Sequence, residues 1–239
     1  MNNNIVILAD GEFPHHEMPR KLLQEARVVV CCDRAYLRWD TFAKSHTTAA
    51  EEVFAIGDGD SMPKEVRKHL GDNFVVIQEQ NDNDLTKAVH FCFARGWRRL
   101  TILGATGLRE DHTLGNISLL VEYERANMVA AAECRCLPEP MRMVTDFGVF
   151  TVALGKSHFV SFPGQQVSLF SIVPDKHVSV SGLQYPIQHR PLLNWWEGTL
   201  NNAVGTDFEV EVEEGGALLV YQTHSDKEKE LQYKGERMR

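Results

Sequence analysis

The sequence predicts an α/β fold in which an N-terminal doubly wound parallel-sheet domain is followed by a C-terminal all-β sandwich or barrel. Three observations predict it. Short runs that are apolar throughout alternate with helical patterns across the first half of the chain. Beyond about Arg125 the helical periodicity fades and closely spaced strand patterns take over. Turn-forming residues separate most of these later strands, as at Phe147–Gly148, Pro163–Gly164, Pro174–Asp175 and Gly215–Gly216.

The apolar runs are Ile5–Ala9, Val28–Cys32, Val53–Ile56, Phe74–Ile77 and Leu100–Leu103. A strand that is apolar on both faces belongs in a sheet covered by helices on both sides. Helical patterns follow these runs at Met18–Ala26, Leu37–Ala43, Pro63–Leu70, Leu85–Ala94 and Leu114–Tyr123. In the second half Met128–Ala132, Arg142–Asp146, Val149–Leu154, Ser157–Ser161 and Val167–Ile172 read as strands. So do Val178–Ser181, Phe208–Val212 and Ala217–Tyr221. The expected divisions are 1–140, 141–225 and a charged tail over 226–239.

Composition narrows the class of function. Over 239 residues, 33 Asp and Glu outweigh 25 Lys and Arg, for a formal charge of −8. A general nucleic-acid binder needs a basic surface, so no nucleic-acid partner is expected. One nucleotide is compatible with this charge, because a bound metal ion offsets local negative charge. The five cysteines show no CxxC spacing, and Cys31 and Cys32 sit in an apolar run, so buried reduced thiols are expected. The start MNNNIVILADG lacks the pattern of a signal peptide, and no apolar run approaches the roughly 20 residues that span a bilayer. A cytoplasmic protein without a membrane partner is the expectation.

In open parallel sheets, ligands bind beyond the carboxyl ends of the strands. Each predicted strand end here carries a carboxylate or a glycine loop: Asp10-Gly11, Asp33, Gly57-Asp58-Gly59-Asp60-Ser61, then Glu79 to Asp84, then Gly104 to His112. Carboxylates gathered on one rim repel unless a cation sits among them, and hard oxygen donors select magnesium or manganese. Asp58 and Asp60 are the leading metal ligands, although Asp-Gly-Asp is also a common solvated turn. The Gly104–His112 loop follows a strand and opens a helix. Its glycines let backbone amides approach a phosphate, and Arg109 can bridge phosphate oxygens. The other reading is a tight turn capped by Asp111. His112 is either an acid–base group or a structural hydrogen-bonding group. Trp195-Trp196 is either an apolar ligand wall or packed in a core or interface.

These motifs together resemble the thiamine pyrophosphokinase family. Its patterns Gly-Asp-x-Asp-Ser and Gly-x-x-Gly-x-Arg-x-Asp-His-x-x-x-Asn are met by Gly57–Ser61 and by Gly104, Gly107, Arg109, Asp111, His112 and Asn116. Gly182-Leu183-Gln184-Tyr185-Pro186 is similar to its Gly-Leu-x-Trp/Tyr-Pro. Three places depart from the family. Arg34-Ala35-Tyr36 replaces Gly-Gly-Ala, Asn81 and Asn83 replace Asp and Thr, and Leu200-Asn201 replaces Ser-Asn. The resemblance implies transfer of the pyrophosphoryl group of ATP to the hydroxyl of thiamine, giving thiamine diphosphate and AMP, with Mg²⁺. It implies metal ligation by Asp58, Asp60 and Asp84, and chemistry by Asp84, Arg109, Asp111 and His112. Nucleotide binding falls to Asp33, Gly104, Thr106, Gly107, Arg109 and Asn116. Thiamine binding falls to Gln80, Tyr185, Trp195, Trp196, Leu200 and Asn201. The resemblance also implies a homodimer, with the thiamine pocket shared by the α/β domain of one chain and the β domain of the other. Asp84 and Asp111 are alternative partners for the thiamine hydroxyl. A metal-dependent glycosyltransferase-like enzyme and a non-catalytic sensor of nucleotide or thiamine diphosphate are the alternatives.

Overall fold

A computed structural model of the chain describes residues 4–59, 62–79, 81–134 and 140–225. The chain divides into two compact units, residues 1–146 and 147–239. The first unit holds β1 (Ile5–Leu8), β2 (Val28–Cys32), β3 (Glu52–Gly57), β4 (Phe74–Val76), β5 (Leu100–Leu103) and β6 (Arg142–Val144). Every pairing among them is parallel, in the order β6-β5-β1-β2-β3-β4. β1, β2 and β5 are buried at every residue, as their unbroken apolar runs require. The connecting helices are α1 (Glu17–Gln24), α2 (Ala35–Ser45), α3 (Lys64–Leu70), α4 (Asp84–Ala94) and α5 (Glu110–Cys134). The chain builds outward from β1 to β4, then returns to the other side of β1 to lay down β5 and β6. That doubly wound path puts a topological switch point between β1 and β5, the place where open α/β sheets bind ligands.

Two expectations are corrected here. Met128–Ala132 is not a strand but part of α5, which runs on to Cys134. The buried positions Leu120, Glu124, Asn127 and Ala131 recur at intervals of three and four, so one helical face continues without a break. Two of the four are polar, which hides the period from an apolar count, and Ala130–Ala132 favour helix. Arg142–Val144, expected as the first strand of the second domain, is β6, paired with β5 through Thr101↔Arg142 and Ile102↔Met143. The division therefore falls at 146 rather than 140.

The second unit contains β7 (Gly148–Ala153), β8 (Lys156–Val160), β9 (Gln166–Ser171), β10 (His177–Ser181), β11 (Ile187–Pro191), β12 (Asn201–Asn202), β13 (Asp207–Val212) and β14 (Leu218–Thr223). They form two antiparallel sheets, β12-β9-β14-β7 and β11-β10-β13-β8. Strand β13 shows why they pack as a sandwich: Phe208, Val210 and Val212 are buried while Asp207, Glu209 and Glu211 are exposed. Leu169, Val180 and Val220 share the same core, and the Phe159 and Phe208 rings stack with centroids 5.0 Å apart. β11 and β12 go unread in the sequence. Gln188–Arg190 is polar and exposed, and β12 is only two residues long.

Cys31, Cys32 and Cys92 are buried free thiols. Cys136, the Cys134 side chain and the expected tail over 226–239 lie outside the described residues. Among the described residues no helix is long and apolar enough to cross a membrane.

The buried face of α5 generates a pH-dependent expectation. Glu124 accepts a hydrogen bond from Met141 N–H at 2.9 Å. Burial raises its carboxyl above the ordinary value of 4.5, against smaller lowering effects of Met141 and Asn127. The native state thus holds this proton more tightly than the unfolded chain. Its stabilising effect is complete below the unfolded value and is lost as pH rises through the folded one. Glu124→Gln is expected to match or exceed wild-type stability near pH 7, with the gap closing at acid pH. Urea midpoints across that range check it; a deficit that grows toward pH 7 would contradict the burial argument.

Candidate active site

The loops that leave β1 and β5 are joined backbone to backbone. Gly11 N–H donates to Gly104 O at 2.7 Å and Glu12 N–H to Thr106 O at 2.8 Å. A Cβ on Gly11 would lie 2.7 Å from Thr106 O, and one on Gly107 would lie 2.6 Å from Glu12 Cβ. Gly107 also adopts φ of +79°, which a side chain would strain. Arg38 of α2 fixes the first loop from behind, with Nη1 donating to Gly11 O at 2.5 Å and Nη2 to Asp10. The second loop then turns into α5, whose first N–H groups and positive dipole end favour an anion.

These loops, with those after β3 and β4, line a cavity of about 570 Å³. Its walls carry Asp58, Asp82, Asp84, Lys87, Arg109 and His112. Asp33, at the end of β2, has φ of +43°, a strained setting for aspartate. Its side chain rests on Gly57, where a Cβ would stand 3.2 Å from Asp33 Cβ. Such a conformation persists only where the surroundings enforce it, and here a glycine makes the room.

The electrostatics centre on Asp84, the first residue of α4. Burial raises its carboxyl above the ordinary value; Lys87 opposes that shift, and the charges of Asp33 and Asp58 add to it. The carboxylates that close β2, β3 and the β4 loop therefore act on one another. Lys87 Nζ lies 3.3 Å from Asp84 Oδ1, and its side chain is only 5% exposed. Sequence reasoning passed over Lys87, because a lysine beside Leu85 and Ala88 reads as the solvated edge of a helix. The signal was available: α4 is apolar on most of its other faces, so a lysine there had little solvent to reach.

Asn83 caps α4, its Oδ1 accepting from Thr86 N–H at 2.8 Å. Its Nδ2 donates to Asn116 Oδ1 at 3.3 Å, and Asn116 Nδ2 donates to Ala105 O at 2.8 Å. Two amides thus tie the acidic loop to the loop after β5. The Asn that departs from the family's Thr has a definite structural task.

Of the expected nucleotide-binding residues, Gly107, Arg109 and Asn116 line the cavity. Gly104 and Thr106 have their carbonyls committed to the first loop. Arg109 grips Asp111 through Nε at 3.1 Å and Nη2 at 2.5 Å, a two-point contact on the surface, and Asp111 Oδ1 also accepts from His112 N–H at 3.0 Å. The pairing lowers the Asp111 carboxyl and raises the Arg109 guanidinium. Asp60, Ser61 and Gln80 lie outside the described residues. Among the described residues no three His, Cys, Asp or Glu side chains form a ready metal-binding group.

In the second unit, Trp195 and Trp196 sit on a short 3₁₀ turn, Trp195–Gly198. Glu197 accepts from Asn194 N–H at 3.0 Å and from Arg190 Nη1 at 3.0 Å, which fixes that turn. Trp196 is 73% exposed, and Trp195 is half exposed with its ring edge-on to Phe170 at 6.0 Å, so neither is a core residue. Leu200 is 81% exposed at φ of +59°, and Tyr185 is exposed as well. Asn201 is buried. It accepts from Tyr185 N–H at 3.0 Å and donates to Tyr185 O at 2.7 Å, so it positions Tyr185. None of these five lines the cavity of about 400 Å³ between β10, β11 and β13.

Residues 19–131 match the family model described as thiamin pyrophosphokinase, catalytic domain, and residues 148–221 that described as thiamin pyrophosphokinase, substrate-binding domain. No curated protein matches the chain by sequence. Among solved structures, the thiamine pyrophosphokinase from Bacillus subtilis aligns with a TM-score of 0.69 at 19% identity, over 92% of this chain and 99% of its own. The yeast thiamin pyrophosphokinase aligns with a TM-score of 0.70 at 15% identity, over 93% and 87%. That from Candida albicans aligns at 0.67 and 14% identity, over 92% and 89%. At these identities the structural likeness is one of fold.

The two roles of Asn83 separate by substitution. Asn83→Ala removes both cap and tie and is expected to cost about 1 kcal/mol or more. Asn83→Ser keeps a capping oxygen and is expected to cost a few tenths. Urea unfolding of both measures the difference; equal losses would mean that the cap contributes nothing.

Proposed function

The chain belongs to the thiamin pyrophosphokinase family, and on that premise we propose that it transfers the pyrophosphoryl group of ATP to the hydroxyl of thiamine, giving thiamine diphosphate and AMP. One observation carries the reading: carboxylates and cations from four strand-end loops meet in a single cavity at the switch point of the sheet. A triphosphate with its metal ion is the ligand class that such a mixed set of charges suits. Family membership sets aside the glycosyltransferase-like alternative, and turnover with ATP and thiamine separates the proposal from a non-catalytic sensor.

The donor chemistry fits Mg²⁺. Asp33, Asp58 and Asp84 offer only hard oxygen atoms; burial raises the Asp84 carboxyl, and the charges of Asp33 and Asp58 add to that rise. We assign the ion to Asp58, Asp60 and Asp84. When bound, it would neutralise charge on the phosphates. The protein's own part is positioning and electrostatics. Backbone amides at the start of α5 hold phosphate oxygens, and Arg109 stabilises charge on the transferring group. The hydroxyl oxygen of thiamine bonds to the β-phosphorus as the bond from that phosphorus to the α-phosphate oxygen breaks; AMP leaves with the electron pair and the hydroxyl proton is released to water. Of the two candidates for orienting the hydroxyl, the geometry supports Asp84, which lines the cavity, over Asp111, which is engaged by Arg109.

For thiamine we propose the exposed Tyr185, Trp195, Trp196 and Leu200, with Gln80 from the first unit and Asn201 holding Tyr185 in place. We propose a homodimer on the family resemblance, since the second unit carries these apolar loop residues and the acidic cluster lies in the first. The buried free thiols support a cytoplasmic setting.

The first experiment is turnover with ATP and thiamine, reading AMP and thiamine diphosphate in equal amounts and their dependence on Mg²⁺. Thiamine-independent ATP hydrolysis alone would refute the proposal. Asp58→Asn and Asp60→Asn are each expected to reduce turnover to below about a hundredth of wild type, with melting unchanged or raised because repulsion is relieved. Activity above that level in both variants would remove them from the metal site. At least one of Trp195→Ala and Trp196→Ala is expected to raise KM for thiamine while leaving KM for ATP near wild type. A tryptophan face attracts a cationic ring by about 0.5–2 kcal/mol, and its loss would weaken one substrate only. Wild-type kinetics in both variants would move the aromatic wall to Tyr185.

A further inference from the structure

Lys87 is the most buried charged residue among the described residues of the first unit, at 5% exposure. It sits four residues into α4, close to the positive end of the helix dipole, where a cation is disfavoured. Its partner compensates only in part: Asp84 is 42% exposed and gains from the dipole at the start of the same helix, while burial raises its carboxyl and Lys87 opposes that shift. An ion pair with one exposed member is screened and returns little to the fold. Among the described residues the one hydrogen bond of the Lys87 ammonium goes to Asp84, and an ammonium carries three donors. The residue lines the same cavity as Asp58, Arg109 and Asn116.

We propose that Lys87 is a phosphate-binding residue, its ammonium contacting phosphoryl oxygens of the triphosphate while Asp84 keeps it in register. The proposal rests on the reading of this cavity as the triphosphate site. With the triphosphate present, the Lys87 ammonium donates to phosphoryl oxygens through the hydrogens that Asp84 does not take, and Asp84 would also be placed to help hold the metal ion. Lys87 and Arg109 then approach the phosphates from α4 and from the start of α5, from two different loops.

The test uses inorganic pyrophosphate as probe, titrated calorimetrically into the full chain in metal-free buffer with EDTA, after melting curves confirm folding. Wild type is expected to bind, and Lys87→Met to bind about tenfold more weakly or worse, the scale of a lost hydrogen bond to a charged group. Lys87→Arg is expected to recover most of the affinity. The deciding comparison is Asp84→Asn against Asp84→Asn/Lys87→Met. If Lys87 merely neutralises Asp84, its removal changes nothing once that charge is gone, and the proposal is overturned. A loss of about tenfold in that background supports direct contact. If Lys87→Met does not fold, Lys87→Gln replaces it in both backgrounds. Absence of pyrophosphate binding by folded wild type also overturns the proposal. Failure of thiamine-dependent turnover would count against the proposed reaction and leave this anion comparison standing.

Discussion

Where the loop after β1 meets the loop after β5, two backbone hydrogen bonds hold the chains so close that neither Gly11 nor Gly107 has space for a Cβ. Strands β1 and β5 are neighbours in the sheet although some 90 residues separate them, so this contact closes the long excursion through β2, β3 and β4. The α5 N-terminus takes its position from it; Arg109 stands just before the helix, and His112 and Asn116 take their positions from α5. Asn116 then reaches Asn83 and fixes the acidic loop. The architecture of the cavity is thus passed from one backbone contact outward.

A cavity built this way gathers charges that have reason to separate. Burial raises the Asp84 carboxyl, and the charges of Asp33 and Asp58 at neighbouring strand ends add a smaller push. The compensating cations are held by different means. Lys87 is buried against Asp84, and Arg109 is clasped by Asp111 at the surface.

What could be read from the sequence followed from how each residue meets solvent. β1, β2 and β5 were legible because strands covered on both faces are apolar at every position. Asp58 and Asp84 were legible because strand ends are where a parallel sheet presents chemistry. The end of α5 was not, since Glu124 and Asn127 occupy its buried face and break the apolar period. Lys87 was missed for a related reason: a lone lysine is normally read as exposed, and only the neighbours of α4 show that this one is not. For the two tryptophans the sequence favours core or interface packing for at least one over a ligand wall. Their exposure separates them from the core, and the capped turn beneath them explains how two large rings can be kept there. β6 was assigned to the wrong unit because three residues carry too little pattern to reveal which neighbour they join.

Asn201 has a consequence for chemical ageing. Its amide pairs with the N–H and the C=O of Tyr185, standing in for a rung of sheet. That task needs a donor and an acceptor on one side chain, which asparagine has and aspartate lacks. Hydrolysis of this single amide would therefore remove the donor to Tyr185 O and leave a negative charge in a site that is 5% exposed. Tyr185 would lose its anchor through a change of about one mass unit, invisible to most purity checks.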